Sequence, residues 1–240
     1  MFRHQGKYRT YSHNLKVATL LSWVAGIVNV AGFLAVQKLT TNVTGHFAFF
    51  VDEVFKLKIA ESLVYFLYIL FFLLGSFASS FMLEAIYRKN ERYIFLIPVL
   101  FEALALSAIA ASGSSLISAN QADVIAYGLL FAMGLQNSLV TRISGAQVRT
   151  THLTGLFTDL GIELSQLFFY KIPEQKKKLL SNIRLRLRII NFFFLGGITG
   201  GILYSRYQIH ALFLPAAALI TGLFYDTIKF RILSWTRTHK

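Results

Sequence analysis

The sequence predicts an all-α integral membrane protein with six transmembrane helices in a single membrane domain. Its 240 residues are 55% hydrophobic and only 15% charged, whereas about a quarter of the residues of a typical soluble domain are charged. An internal repeat divides the apolar part of the chain into two groups of three stretches. Each stretch approaches the roughly 20 residues that a helix needs to cross a bilayer, and the six are 15–36, 62–82, 93–111, 123–140, 189–206 and 210–230.

The net charge of +13 reflects membrane topology, and no nucleic-acid partner is predicted. Lysine and arginine collect in the cytoplasmic loops of membrane proteins. With six spans and a cytoplasmic amino terminus, the cytoplasmic parts hold 20 of the 24 Lys and Arg residues. We therefore expect the lipid bilayer as the main partner and both termini in the cytoplasm.

Two shorter apolar segments, 42–57 and 152–170, carry paired acids: Asp52 with Glu53, and Asp159 with Glu163. A full span with two carboxylates near its middle is costly, so both segments are predicted to be re-entrant or interfacial helices. If both crossed, the chain would have eight spans and only 17 Lys and Arg inside. The positive-inside rule favours six spans, and eight is the alternative.

Segment 171–188 is strongly basic and is predicted to form a cytoplasmic linker. A helix that lies against anionic lipid would have this composition. A specific site for a protein or nucleotide is the alternative.

The repeat is carried by residues 37–45, QKLTTNVTG, and 147–155, QVRTTHLTG, which are identical at five of nine positions. Further anchors follow the same order in both halves: Gly26 and Gly134, Asn29 and Asn137, Gly75 and Gly196, Ser79 and Gly200, Pro98 and Pro215. Three crossings per half make the two repeats, about 15–112 and 123–230, inverted relative to each other. Inverted repeats with interrupted helices are typical of secondary transporters, and a bundle with no passage is the alternative.

The two copies also resemble the signatures of the YoaK-type family of uncharacterised bacterial membrane proteins, over nearly the whole chain. This resemblance implies a small multi-span protein of the bacterial inner membrane, without an established activity or substrate. The residues that carry it are Ala25, Gly26, Asn29 and 41–45 in the first copy, and Gly134, Gln136, Asn137, 150–155 and Asp159 in the second.

The repeated polar residues are predicted to line a central site for a small polar or anionic solute. Helix starts expose unpaired N–H groups that bind anions, and asparagine within a span needs a partner. Alternatively, the threonines only cap and pack two short helices, and the asparagines bond to each other. The predicted site residues are Asn29, Thr41, Thr44, Gly45, Gln136, Asn137, Thr151, Thr154 and Gly155.

Glu102 lies midway along the third apolar stretch and has no counterpart in the second half, where Leu219 aligns. An intramembrane carboxylate is by default a functional residue, here for proton or ion coupling. A protonated glutamate bonded to a neighbouring helix is the alternative.

The chain has no cysteine, no His-x3-His spacing and no nucleophile or phosphate-loop motif. We therefore predict no metal site, no cofactor and no enzymatic activity. The Gly75/Ser79 and Gly196/Gly200 pairs permit close helix approach between the halves, and they would also fit a homodimer.

These features together predict a secondary transporter or carrier with a site between the repeats. A non-transporting membrane scaffold or sensor, whose basic segment binds a cytoplasmic partner, is the alternative. An intramembrane enzyme is a third and weaker hypothesis.

Overall fold

The computed structural model describes residues 10–88 and 94–238, with the side chains among them up to residue 225. These residues are helical, without a strand. In chain order the helices are α1 (Tyr11–Val36), α2 (Thr44–Phe55), α3 (Ile59–Tyr87), α4 (Leu96–Ser118), α5 (Ala122–Ser144), α6 (Leu153–Gln166), α7 (Pro173–Tyr207) and α8 (Phe213–Thr238).

Within these described residues, five stretches are long and apolar enough to cross a membrane: α1, α3, α4, α5 and Pro173–Tyr225. The fifth holds 53 residues, which would extend about 80 Å as one helix, against a hydrocarbon core of about 30 Å. It is divided by a 3-10 turn at Gln208–Leu212, where Gln208 has φ 52°. The two apolar stretches predicted near the carboxyl terminus are thus α7 and α8, which pack mainly on different neighbours, α1 and α4.

Short helices occupy both segments that were predicted to form them. Helix α2 has 12 residues and α6 has 14, or about 18 and 21 Å, less than the hydrocarbon thickness. Helix α2 packs on α3, and α6 packs on α7.

The basic segment predicted as a separate linker is instead the first half of α7. This helix begins at Pro173 and continues without a break for 35 residues. Proline suits the first turn because that turn needs no donor from its N–H group. Leu179 and Ile183, four residues apart on one face, pack against Leu160 of α6, and this contact supports the part of α7 that precedes the apolar stretch.

Helices α1 and α5 form the centre of the molecule, and their contacts correspond to each other. Helix α1 of the first half packs on α7 of the second, and α5 of the second half packs on α3 of the first. The contact of α4 with α5 likewise corresponds to the contact of α8 with α1. The α1–α5 and α4–α8 contacts each join two equivalent helices, so each corresponds to itself. Exchanging the two halves therefore leaves this pattern of neighbours unchanged.

Four glycines make these contacts at main-chain distance. A Cβ atom on Gly26 would clash with the main chain of Phe193, and one on Gly134 with that of Phe72. The same holds for Gly75 against Phe131 and for Gly196 against Trp23. In lipid, packing at small residues is a principal source of helix association, so these glycines fix which helices become neighbours.

Candidate functional site

The two asparagines of the repeat each bond to a threonine of their own copy. The Thr41 hydroxyl donates to Asn29 Oδ1 at 2.7 Å, and Asn137 Nδ2 donates to the Thr151 hydroxyl at 2.7 Å. Each bond fastens the loop before a short helix to the long helix that precedes it. An asparagine that faces the interior of a membrane protein needs such a partner, and both copies supply it locally.

The preceding threonines, Thr40 and Thr150, are fully buried beside these pairs. The Thr40 hydroxyl donates to the Val28 carbonyl at 3.2 Å. In the second copy, Gln136 Nε2 lies 3.0 Å from both the Thr150 hydroxyl and the Leu21 carbonyl of α1. Gln136 therefore bonds the second copy to the central helix of the first.

The remaining predicted site residues lie at the starts of the short helices. Thr44 and Thr154 are exposed in the first turns of α2 and α6. A Cβ atom on Gly45 would meet the Leu39 side chain at 2.5 Å, and one on Gly155 would meet the His152 ring at 2.5 Å. Both glycines thus allow the loop before the helix to fold back on the first turn.

The structure joins the nine predicted site residues only in part. It bonds Asn29 to Thr41 and Asn137 to Thr151, and it brings Gln136 to the second loop. Convergence of both copies on one solute stays a prediction.

Glu102 is fully buried in the first third of α4. Among the described residues, neither of its carboxylate oxygens has a hydrogen-bond partner. The contact of Ile109 with Gly128 sets the register of α4 on α5. Gln136 Oε1 is likewise without a partner in the described part of the chain.

A cluster that the repeat did not predict joins α2, α3 and α5. The His46 ring lies 4.6 Å from the Tyr68 ring, and Tyr68 donates a hydrogen bond to Asp123. His46 Nε2 lies 2.5 Å from the Leu39 carbonyl, and its Nδ1 has no partner within the described ranges. The sequence did not indicate this cluster, because Tyr68 and Asp123 lie 55 residues apart in the chain.

Beyond the other end of α5, Arg186 of α7 binds both acids of α6, the second short helix. Its Nε and Nη2 donate to Glu163 at 2.7 and 2.9 Å, and its Nη1 lies 2.9 Å from Asp159. The spacing of these acids, four residues apart on one helix face, could have indicated a shared cation. The pairing explains how α6 tolerates both carboxylates.

The start of α1 is bonded to the same end of the molecule. The Tyr11 hydroxyl donates to the Ser181 carbonyl at 2.7 Å, and Asn14 Nδ2 donates to Gln147 Oε1 at 2.6 Å. Two adjoining polar cavities of about 490 and 510 Å³ open here. Together these contacts join α1, α7 and the loop between α5 and α6.

Comparison with known proteins gives one match. A family model described as "Protein of unknown function (DUF1275)" matches residues 17–225, which include both repeat copies and every predicted site residue. No curated protein and no solved structure matches the chain. The match covers most of the sequence, and the protein therefore belongs to the DUF1275 family.

Proposed function

We propose that this protein is a secondary transporter or carrier for a small polar or anionic solute, with its central site between two inverted repeats. In this proposal α1, α3, α4, α5, α7 and α8 cross the membrane, while α2 and α6 are re-entrant or interfacial. From the resemblance of both signatures we further propose that the chain is a YoaK-type member of its family in the bacterial inner membrane. The distribution of Lys and Arg supports cytoplasmic placement of both termini.

The reciprocal packing supports the inverted repeat. Gly26 against Phe193 and Gly134 against Phe72 are equivalent contacts when the halves are exchanged, as a two-fold relation requires. With the three crossings per half that we propose, the two-fold axis would lie in the membrane plane. Transporters with such repeats bind solute near the midplane, where interrupted helices meet.

The observation that carries the proposal is the buried carboxyl group of Glu102. A carboxylate without a partner in hydrocarbon is expensive and is retained where it binds or transfers a charge. Gln136 Oε1, which is also buried, offers a second acceptor without a partner among the described residues. We propose that Glu102 couples proton movement to solute movement.

The Asn–Thr pairs supply the remaining polar groups of the proposed site. A solute that takes the place of Thr41 at Asn29 Oδ1, or of Thr151 at Asn137 Nδ2, would open the present 2.7 Å bonds. Exchange of these local bonds for solute bonds is a means of coupling binding to movement of the loops that precede α2 and α6.

The test is transport in proteoliposomes loaded with a pH-sensitive dye. A panel of small organic and inorganic anions is added together with a pH gradient. We expect one solute class to cause a proton flux in liposomes that contain the wild type. The same solutes should cause no proton flux with the Glu102→Gln variant. Glu61→Gln, which removes an exposed carboxylate at the start of α3, is the matched control and should transport normally.

A scaffold or sensor is the second candidate, supported by the hydrogen bonds that already join each asparagine to a threonine of its own copy. Under this alternative the basic first half of α7 binds a cytoplasmic partner. This alternative would be favoured over transport by two results together. No solute would cause a proton flux, and a cytoplasmic partner would bind through the basic residues of α7.

A further inference from the structure

The two adjoining cavities form one cleft, which we call the basic cleft. It lies between the start of α1, the loop joining α5 to α6, helix α6 and the first half of α7. Its volume, about 490 and 510 Å³ in the two parts, is sufficient for a small ligand or a lipid headgroup. The residues common to both parts are Tyr11, Gln147, Lys178 and Asn182.

Cations outnumber acids on the cleft wall. The 490 Å³ part of the cleft is lined by Arg149, Lys178 and Arg186 together with one acid, Asp159. Arg186 is bound to Asp159 and to Glu163 behind it. Among the residues that the structure describes, Arg149 and Lys178 meet no carboxylate at ion-pair distance. These two cations are thus available to an anion in the cleft.

The walls of the cleft are held in place by hydrogen bonds. Tyr11 bonds to the main chain of α7 at Ser181, and buried Asn14 bonds to Gln147 of the loop. Ser144 Oγ also accepts from the Val148 amide at 2.9 Å, which fixes the loop at the end of α5. A ligand would therefore enter a preformed cleft rather than order a loose surface.

In the proposed topology, the cleft lies on α7 just before its apolar stretch, at the level expected for the cytoplasmic headgroup layer. Lys178 precedes the fully buried Ile189 by eleven residues, or about 16 Å along the helix. Arg186 is within one turn of Ile189. Basic pockets between helices on the cytoplasmic side bind lipid phosphates, and soluble phosphate compounds reach the same depth from the cytoplasm.

We propose that the basic cleft binds a phosphate-bearing anion through Arg149 and Lys178. Both side chains carry several N–H donors, and phosphate oxygens accept charge-assisted hydrogen bonds from such groups. The phosphate belongs either to an anionic phospholipid or to a free phosphate compound. This proposal does not depend on transport, because it concerns an equilibrium binding site at one end of the molecule.

The test compares two double variants of the full-length protein in detergent. Arg149→Gln with Lys178→Gln removes the two available cations of the cleft. Lys171→Gln with Lys176→Gln removes the same charge from exposed positions that do not line it. The probes are phosphatidylglycerol, phosphatidylcholine with the same acyl chains, and glycerol phosphate, and the readout is the rise in unfolding temperature with probe concentration.

We expect saturable stabilisation of the wild type by phosphatidylglycerol, by glycerol phosphate, or by both. The cleft variant should weaken this apparent binding about tenfold or more, whereas the control variant should change it less than about twofold. Stabilisation by the lipid alone identifies a headgroup site, and equal stabilisation by glycerol phosphate identifies a free phosphate compound. Equal weakening in both variants, unchanged binding in the cleft variant, or no stabilisation of the wild type would overturn the proposal.

Discussion

Asn137 Nδ2 lies 2.7 Å from the Thr151 hydroxyl and bonds the interior of α5 to the loop before α6. The first half repeats this bond with Thr41 and Asn29, although donor and acceptor are exchanged. A contact between an asparagine of the long helix and a threonine of the following loop therefore recurs in both halves.

Replacing the bonded threonines should destabilise the fold more than replacing the exposed ones. Thr41→Val or Thr151→Val leaves an asparagine without its partner, and we expect the free energy of unfolding to fall by about 0.5 to 1.5 kcal/mol. Thr44→Val and Thr154→Val should change it by less than about 0.5 kcal/mol. Thermal unfolding in detergent measures both effects, and equal losses in the two pairs would show that the bonds to asparagine do not matter.

Alanine at Gly196 should disrupt the packing of α7 on α1. Its Cβ atom would overlap the Trp23 main chain, which cannot move without shifting a helix. We expect a loss of about 1 to 3 kcal/mol. Gly201→Ala is the matched control on the same helix, because its Cβ atom would meet only the Val30 side chain at 3.6 Å. Comparable unfolding temperatures for the two variants would contradict this account of the helix contact.

Arg186→Gln should release α6 from α7. The substitution removes three charge-assisted contacts and leaves Glu163, whose side chain is only 9% exposed, without a cation. We expect a loss of about 1 to 3 kcal/mol and faster amide hydrogen exchange in α6, with α2 unchanged. Arg184→Gln, an exposed position on the same helix, is the control. Faster exchange throughout the protein would indicate global unfolding and not local release.

The proposed topology places the loop between α4 and α5 outside the cell. The chain has no native cysteine, so single cysteines can be labelled without background. Cysteine at Gln121 should react with an impermeant thiol reagent in intact cells, and cysteine at Lys177 should react only after lysis. The reverse pattern would invert the topology, and labelling of both in intact cells would exclude cytoplasmic placement of the first half of α7.

The sequence was sufficient to predict helical class, the approximate apolar stretches and the two short helices. These properties depend on local composition: about 20 apolar residues form a helix that can cross lipid, and two acids within a short segment disfavour crossing. The sequence was insufficient to predict where each helix begins and ends. The basic linker is continuous with α7 because nothing between Pro173 and Tyr207 interrupts helical hydrogen bonding, and Leu179 and Ile183 pack on α6.

The candidate residues likewise divide into those that the sequence indicated and those whose roles only the structure revealed. Repetition of a polar string drew attention to Asn29, Asn137 and their threonines, and an isolated acid in an apolar stretch drew attention to Glu102. The roles of Tyr68 and Arg186 required coordinates, because their partners lie 55 and 23 residues away in the chain. No periodic pattern signals a pair of that kind.

Composition and apolar length therefore indicate a multi-helix membrane protein, and self-similarity indicates an internal sequence repeat, since each of these can be read along the chain. The tertiary structure decided which helices are neighbours, which of the repeated polar groups bond, and where a cleft opens. The physical reason is that lipid gives little hydrophobic preference among apolar helices. Their arrangement depends instead on close contacts at a few glycines and on polar partners that are distant in the sequence.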